Sequence, residues 1–213
     1  MKGLYFLISI ILNLLLSVLL ITIVNNKLPT AYAQQQQPQQ QVENLKYCYK
    51  FQWGSEGEDD GQFLRPHDVV FDKEGFVYIN DRERNDIQKF SPDGKFIEKF
   101  GEKGEKLGEF RSPYSMLIDS NDNLFVIDRG NDRVQKISIN GTPIAAWDSL
   151  DGKVITSSKD IKDKEKKDKD KKLTPEEKLK QLASPEDMAI DKEGNFYLTD
   201  TGHNRVIKFD KDF

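Results

Sequence analysis

The chain has 213 residues, with 32 Lys and Arg against 36 Asp and Glu, and a formal net charge of −4 at pH 7. This length allows one domain or two small ones, and the single cysteine excludes an internal disulfide. From Lys50 to Trp147, 14 basic and 19 acidic residues give a net charge of 14 − 19 = −5. Because phosphate binding needs clustered positive charge, we expect no nucleic acid among the partners of this protein.

The N-terminus has the features of an export signal. An apolar run over residues 4–24 follows Lys2, and an Ala-x-Ala sequence ends at Ala33. These features predict a signal peptide over residues 1–33, cleaved after Ala33. The run of 24 − 4 + 1 = 21 residues is also long enough to remain as a membrane anchor. In both cases we expect the rest of the chain to be extracellular or at the cell surface, with membrane contact only through this segment.

Residues 34–46 begin with a glutamine tract that contains no apolar residue. Such a segment has nothing to bury in a core. We therefore predict a disordered spacer here and a folded part over residues 47–213.

The folded part repeats one pattern three times. Each copy opens with a proline, at Pro66, Pro113 and Pro185. The spacings are 113 − 66 = 47 and 185 − 113 = 72 residues, and the aspartates that end the second apolar run of each copy repeat both spacings. They are Asp81, Asp128 and Asp200. A period of this size is typical of a repeat architecture.

Each copy consists of short runs in which apolar residues alternate with period two. Turns rich in Asp, Asn and Gly join the runs, as at residues 72–75 and 91–94. Four such runs predict an antiparallel meander, and its recurrence predicts the blades of a β-propeller. We therefore predict an all-β propeller of four-stranded blades, preceded by an N-terminal apolar helix.

Two strings carry a resemblance to a known family. Residues 123–137, NLFVIDRGNDRVQKI, and residues 194–209, GNFYLTDTGHNRVIKF, resemble the NHL repeat. The resemblance implies an NHL-type propeller, a fold usually built from six blades. The chain holds about three, so we expect a truncated, incomplete six-bladed propeller rather than a ring closed by self-association.

The first copy departs from this pattern. Glu83 stands where the other copies have the turn glycine, and Asp86 stands where they have an arginine. We expect this turn to be built differently, with Arg84 in place of the missing arginine.

The recurring charged residues are interpreted as structural. A group needed once for chemistry is not needed at the same place in every blade, and an aspartate at a strand end accepts backbone hydrogen bonds in the turn that follows. This interpretation covers the three aspartates together with the arginines that follow them. They are Asp81, Asp128, Asp200, Arg133 and Arg205.

The residue after each opening proline is the best candidate for ligand binding. These residues differ among the copies, and they are expected near the start of the innermost strand, where side chains face the channel. They are His67, Tyr114 and Glu186. Our leading hypothesis is a non-enzymatic scaffold that binds a protein, a peptide or a glycan here and needs no cofactor.

An enzyme is the alternative. The string Pro66-His67-Asp68-Val69 with residues 81–90 also resembles, more weakly, repeats of the peptidyl-hydroxyglycine amidating lyase. That resemblance implies a zinc ion in the channel, with His67 as one of its ligands. If Glu186 were an oxygen ligand, the site would resemble that of metal-dependent propeller lactonases. Calcium is then another possible ion. Zinc needs three or four converging ligands. One histidine at these positions favours a polar channel residue over a metal ligand.

A charged insertion over residues 148–182 accounts for the longer second spacing. Eight lysines and five acids fall in residues 159–172, with a single apolar residue. We interpret this stretch as a solvated segment that is either disordered or a fraying helix, and a partner-binding arm is the alternative. Thr174, Pro175 and the acids after them predict the start of a helix.

Overall fold

A computed structural model describes residues 48–157, 159–163 and 173–210. Within these residues the strands form three antiparallel sheets, two of four strands and one of three. The prediction of an all-β fold built from four-stranded meanders is therefore confirmed. The predicted signal or anchor and the predicted spacer lie outside the described residues.

The strands follow the three sequence copies in order. Blade 1 comprises β1 (Pro66–Phe71), β2 (Val77–Asp81), β3 (Asp86–Phe90) and β4 (Phe96–Phe100). Blade 2 comprises β5 (Pro113–Ile118), β6 (Asn123–Asp128), β7 (Arg133–Ser138) and β8 (Pro143–Trp147). Blade 3 comprises β9 (Pro185–Ile190), β10 (Phe196–Asp200) and β11 (Arg205–Phe209). Short 3₁₀ turns, Arg129–Asn131 and Thr201–His203, follow β6 and β10.

The core lies between the blades, and β6 illustrates why its sequence is apolar throughout. Leu124 and Val126 pack with blade 1, whereas Phe125 and Ile127 pack with blade 3. Successive side chains of a strand point to opposite faces, so a sheet covered on both sides needs a continuous apolar run. All four side chains are at most 2% exposed. Each blade is therefore stabilised mainly by its neighbours.

The described part of the insertion is anchored on blade 2. Ile155 exchanges two backbone hydrogen bonds with Ala146, and the Leu182 N–H donates to the Asp148 carbonyl. Leu182 itself is 5% exposed in the core between blades 2 and 3. The end of the predicted insertion thus contributes to the propeller core.

The predicted helix start in the insertion is confirmed. The helix Pro175–Leu179 begins after Thr174, whose hydroxyl accepts the Glu177 N–H while the Glu177 carboxylate accepts the Thr174 N–H. This reciprocal pair satisfies N–H groups that have no partner within the helix. Residues 159–163, at the start of the lysine-rich stretch, are helical, and residues 164–172 fall outside the described part of the chain.

In the part of the chain that the structure describes, no helix is both long enough and apolar enough to cross a bilayer.

Candidate functional site

The first strand of every blade starts opposite the recurring aspartate. Pro66 pairs with Asp81, Pro113 with Asp128, and Pro185 with Asp200. The ladder register shifts immediately after each of these pairs. A break of this kind redirects side chains and is common beside functional sites. The residues after the prolines lie in this break.

The three predicted ligand-binding residues lie together. His67, Tyr114 and Glu186 line one open cavity of about 450 Å³, called here the rim cavity. The other lining residues come from the next position of each first strand, from the end of β10 and from the 3₁₀ turn that follows it. They are Asp68, Ser115, Asp187, Thr199 and Thr201.

Tyr114 is the centre of this cluster. The His67 ring lies 4.0 Å from the Tyr114 ring, centroid to centroid, and His67 Nδ1 is 2.8 Å from the Tyr114 carbonyl oxygen. A carbonyl only accepts, so Nδ1 carries the hydrogen and Nε2 is the remaining ring nitrogen. The side-chain amide of Asn80 donates to the same carbonyl at 2.9 Å. These contacts fix the aromatic pair across the junction of blades 1 and 2.

Two arginines flank the ring of Tyr114. The Arg82 guanidinium carbon lies 4.6 Å and that of Arg129 lies 5.5 Å from the ring centroid. Arg129 also forms an ion pair with Glu186, with its Nη2 3.1 Å from Oε1. The cluster of Tyr114, Glu186 and the two arginines beside the cavity thus combines aromatic, cationic and acidic groups, a composition suited to binding a polar, charged ligand.

The described residues by themselves do not complete the zinc site of the enzyme alternative. Within them, no group of three or more His, Cys, Asp or Glu side chains is arranged to hold a metal ion. Glu186 is paired with Arg129, and the bond of His67 Nδ1 to a carbonyl leaves Nε2 as the ring nitrogen available to a metal. A zinc site needs three or four converging ligands, so the assignment of His67 to metal binding remains a prediction.

Asp128 anchors the turn that supports the rim in blade 2. Its Oδ1 accepts the Arg111 N–H at 2.6 Å. Its Oδ2 accepts hydrogen bonds from Asn131, Arg133 and Gln135 at 2.7, 2.8 and 3.0 Å. Burial raises the pKa of Asp128, against the opposing effect of Arg133 and the other donors. All these contacts lie within the framework, which supports the structural interpretation of this residue.

Blade 3 builds the same turn nearer to solvent. Asp200 accepts the Ala183 N–H and hydrogen bonds from His203 and Arg205. The Arg205 side chain is 27% exposed, against 4% for its blade 2 equivalent, Arg133. Burial raises the pKa of Asp200, but these hydrogen bonds outweigh it and lower the pKa overall.

Blade 1 binds the equivalent backbone carbonyls with a different arginine, as expected from its sequence. Arg84 donates to the carbonyls of Asp59 and Gln62. These are the repeat equivalents, 47 residues earlier, of the Lys106 and Glu109 carbonyls that Arg133 binds. The prediction that Arg84 replaces the missing arginine is therefore confirmed.

Asp86 is the acid partner of Arg84, and its carboxylate is buried with only one of its two oxygens hydrogen-bonded within the described part of the chain. The two side chains form a buried ion pair at 2.8 Å. Asp86 Oδ1 has no hydrogen-bond partner among the described residues. Burial raises the pKa of Asp86, although the hydrogen bond and the charge of Arg84 oppose this shift.

The raised pKa of Asp86 predicts a pH-dependent stability. Between the unfolded-state pKa of about 3.9 and the higher folded-state pKa, the folded protein binds more protons than the unfolded chain. The free energy of unfolding contributed by this group therefore rises as the pH falls through that window. Asp86→Asn lacks this titration. In urea titrations from pH 7 to pH 4, we expect wild type to gain stability relative to Asp86→Asn on acidification. A constant or opposite difference would contradict the prediction.

Comparisons with known proteins agree with the fold. Residues 55–151 match the model of a family described as a six-bladed β-propeller, and residues 182–209 match the NHL repeat. The chain is therefore built from β-propeller blades and contains an NHL repeat, as its sequence pattern predicted.

The curated relatives match over a short segment. The E3 ubiquitin-protein ligase TRIM71 of Bos taurus is 49% identical over 47 residues, which are 22% of this chain and 5% of that protein. Protein lin-41 of Caenorhabditis elegans is 43% identical over 47 residues, 22% of this chain and 4% of that protein. The matched segment equals one repeat period.

Solved structures are similar over a larger part of the chain. Virginiamycin B lyase of Staphylococcus aureus is 13% identical with a TM-score of 0.39, covering 68% of this chain and 41% of that chain. A chain of a nidogen/laminin complex is 18% identical with a TM-score of 0.42, covering 70% and 44%. The chain spans less than half of either structure. Similarities of this size do not extend to activity or ligands.

Sequence reasoning missed the arginines of the site. Arg82 and Arg129 follow the recurring aspartates directly, so the 47-residue register was the signal that places them in equivalent positions. Thr201 holds that position in blade 3 and lines the rim cavity. Their proximity to Tyr114 depends on how neighbouring blades pack, which a repeat spacing does not reveal.

Proposed function

We propose that this chain is an exported β-propeller that acts as a non-enzymatic binding scaffold, with a protein or peptide ligand at the rim cavity. Export rests on the signal-like sequence of residues 1–33, and the mature chain would then begin at Gln34. The partner would meet the propeller outside the cell, with membrane contact limited to the N-terminal segment.

One observation carries this proposal. In three successive blades, the framework positions hold a proline opposite an aspartate, while the residue after the proline changes from His67 to Tyr114 to Glu186. All three line one cavity. A repeat protein keeps its scaffold constant and presents different side chains from a shared surface, and such surfaces bind partners.

Site-specific photo-crosslinking tests this function. A benzoylphenylalanine in place of Tyr114 keeps an aromatic ring in the cavity, and the same residue in place of Ile97 reports on the exposed outer strand β4. On intact cells of the source organism, we expect a discrete crosslinked partner from position 114 and none from position 97. Unlabelled wild-type protein should compete with the crosslink, and His67→Ala should compete at least about tenfold less well.

Two results would count against the scaffold. Equal crosslinking from both positions would mean that the rim cavity is not the binding surface. Stoichiometric zinc or calcium in the purified full chain, lost in His67→Ala, would instead support the metal-dependent enzyme.

A further inference from the structure

One ion pair beside the rim cavity already shows a turn arginine binding a carboxylate. Arg129 follows β6, and Glu186 lies in the first strand of the next blade. Nε and Nη2 of Arg129 are 3.2 and 3.1 Å from Oε1 of Glu186. Hydrogen bonds between two charged partners are among the stronger ones in proteins. The contact therefore joins a turn guanidinium of one blade to a carboxylate of its neighbour.

The equivalent place one blade earlier has the guanidinium but not the carboxylate. Arg82 corresponds to Arg129 (129 − 82 = 47), and Tyr114 corresponds to Glu186 (186 − 114 = 72). Arg82 Nε donates to the Ser112 hydroxyl at 3.2 Å, and its guanidinium carbon faces the Tyr114 ring at 4.6 Å. Among the described residues, no carboxylate forms an ion pair with Arg82.

We propose that Arg82 binds a carboxylate of the ligand. The ligand would then make the same contact between blades 1 and 2 that Glu186 makes between blades 2 and 3. This inference rests on the proposed function and names the ligand group. Tyr114 positions the arginine, because a guanidinium stacked on an aromatic face keeps its in-plane N–H donors available.

Two acids line the rim cavity next to Tyr114 and restrict the rest of the ligand. Asp68 accepts the N–H groups of Val69 and Met116 at 2.8 and 2.6 Å. Asp187 accepts from the Ser115 hydroxyl and from the Met188 N–H, both at 2.9 Å. Both carboxylates repel a polyanion. A peptide with one carboxylate and an otherwise neutral or cationic surface fits this pattern, and a phosphate backbone does not.

The test uses three blocked dipeptides and the full chain labelled with ¹⁵N. The first is acetyl-dialanine with a free C-terminal carboxylate, the second is its C-terminal amide, and the third is an acetylated amide with one glutamate side chain. We expect the first or the third to shift the Nε–H resonance of Arg82 saturably, with an affinity about tenfold higher than that of the uncharged amide. Which of the two binds distinguishes a chain terminus from an acidic side chain.

Variants separate the site from a general charge effect. Arg82→Gln should abolish the preference for the carboxylate, and Tyr114→Glu should block it by placing an internal carboxylate beside Arg82. Arg65→Gln removes an equal charge at an exposed position and should leave the preference unchanged. Equal binding of all three dipeptides, no binding, or equal loss in Arg65→Gln would overturn the inference. The crosslink from position 114 is a separate readout, so its persistence would leave the proposed function standing.

Discussion

Replacing Asp128 with asparagine is expected to lower the free energy of unfolding by about 3–5 kcal/mol, the usual cost of breaking a buried ion pair from one side. The Arg133 side chain is 4% exposed, so the remaining charge cannot reach water. The damage has a second source. Oδ1 and Oδ2 of Asp128 accept four N–H donors between them. In an asparagine, an NH₂ group replaces one of these oxygens and faces the N–H donors that the oxygen accepted.

Asp200→Asn is the matched control, at the same repeat position in blade 3. Because Arg205 is 27% exposed, water can solvate the released charge, and we expect a loss of about 1–2 kcal/mol. Urea titrations followed by tryptophan fluorescence compare the variants. If both substitutions cost the same, burial of the arginine is not what makes the blade 2 pair important.

Arg84→Asn is expected to destabilise blade 1 by a similar amount, about 3–5 kcal/mol. The substitution leaves Asp86 as a buried carboxylate without its cation, and Oδ1 of Asp86 already lacks a partner among the described residues. It also removes the donors that hold the carbonyls of Asp59 and Gln62.

A turn graft provides the compensating control. The combination E83G, R84N, N85D and D86R gives blade 1 the turn sequence of residues 130–133 in blade 2. The new arginine would then meet the same carbonyls from the position that Arg133 occupies. We expect the grafted protein to unfold within about 1 kcal/mol of wild type, because the contacts couple and their losses do not add. A graft as unstable as Arg84→Asn alone would show that the two turns are not interchangeable.

These experiments test whether the recurring aspartates and arginines stabilise the fold without taking part in ligand binding. Each recurring aspartate is 0% exposed and accepts backbone N–H groups from the segment that precedes its blade. These contacts hold the first strand against the second, and so they fix where the rim residues lie. A loss of stability in Asp128→Asn with unchanged carboxylate preference at Arg82 would separate the framework from the site.

The blades were predictable because their signal is local. A strand buried on both faces must be apolar at every position, and Asp, Asn and Gly must occupy its turns; both requirements are visible in a single copy such as residues 123–137. The departure of blade 1 was also predictable, since Glu83 cannot serve as the turn glycine. At the equivalent Gly130, a Cβ atom would lie 2.6 Å from the Arg111 carbonyl oxygen.

The candidate site was predictable only in part. The register identified His67, Tyr114 and Glu186 as the variable positions, because a fixed period makes any change within it conspicuous. It could not show that Arg129 pairs with Glu186, whereas Arg82 has no carboxylate partner among the residues that the structure describes. The two halves of each contact come from different blades and lie 32 or 57 residues apart (114 − 82 and 186 − 129).

The sequence by itself thus determined the blade, its turns, the residues that form its framework and the positions where the copies differ. Only the tertiary structure decided which of these positions meet and which charges, among the described residues, form ion pairs. The reason is physical: strand alternation and turn chemistry are set by neighbours along the chain, whereas the pairing of charges depends on distances across the junction between two packed sheets.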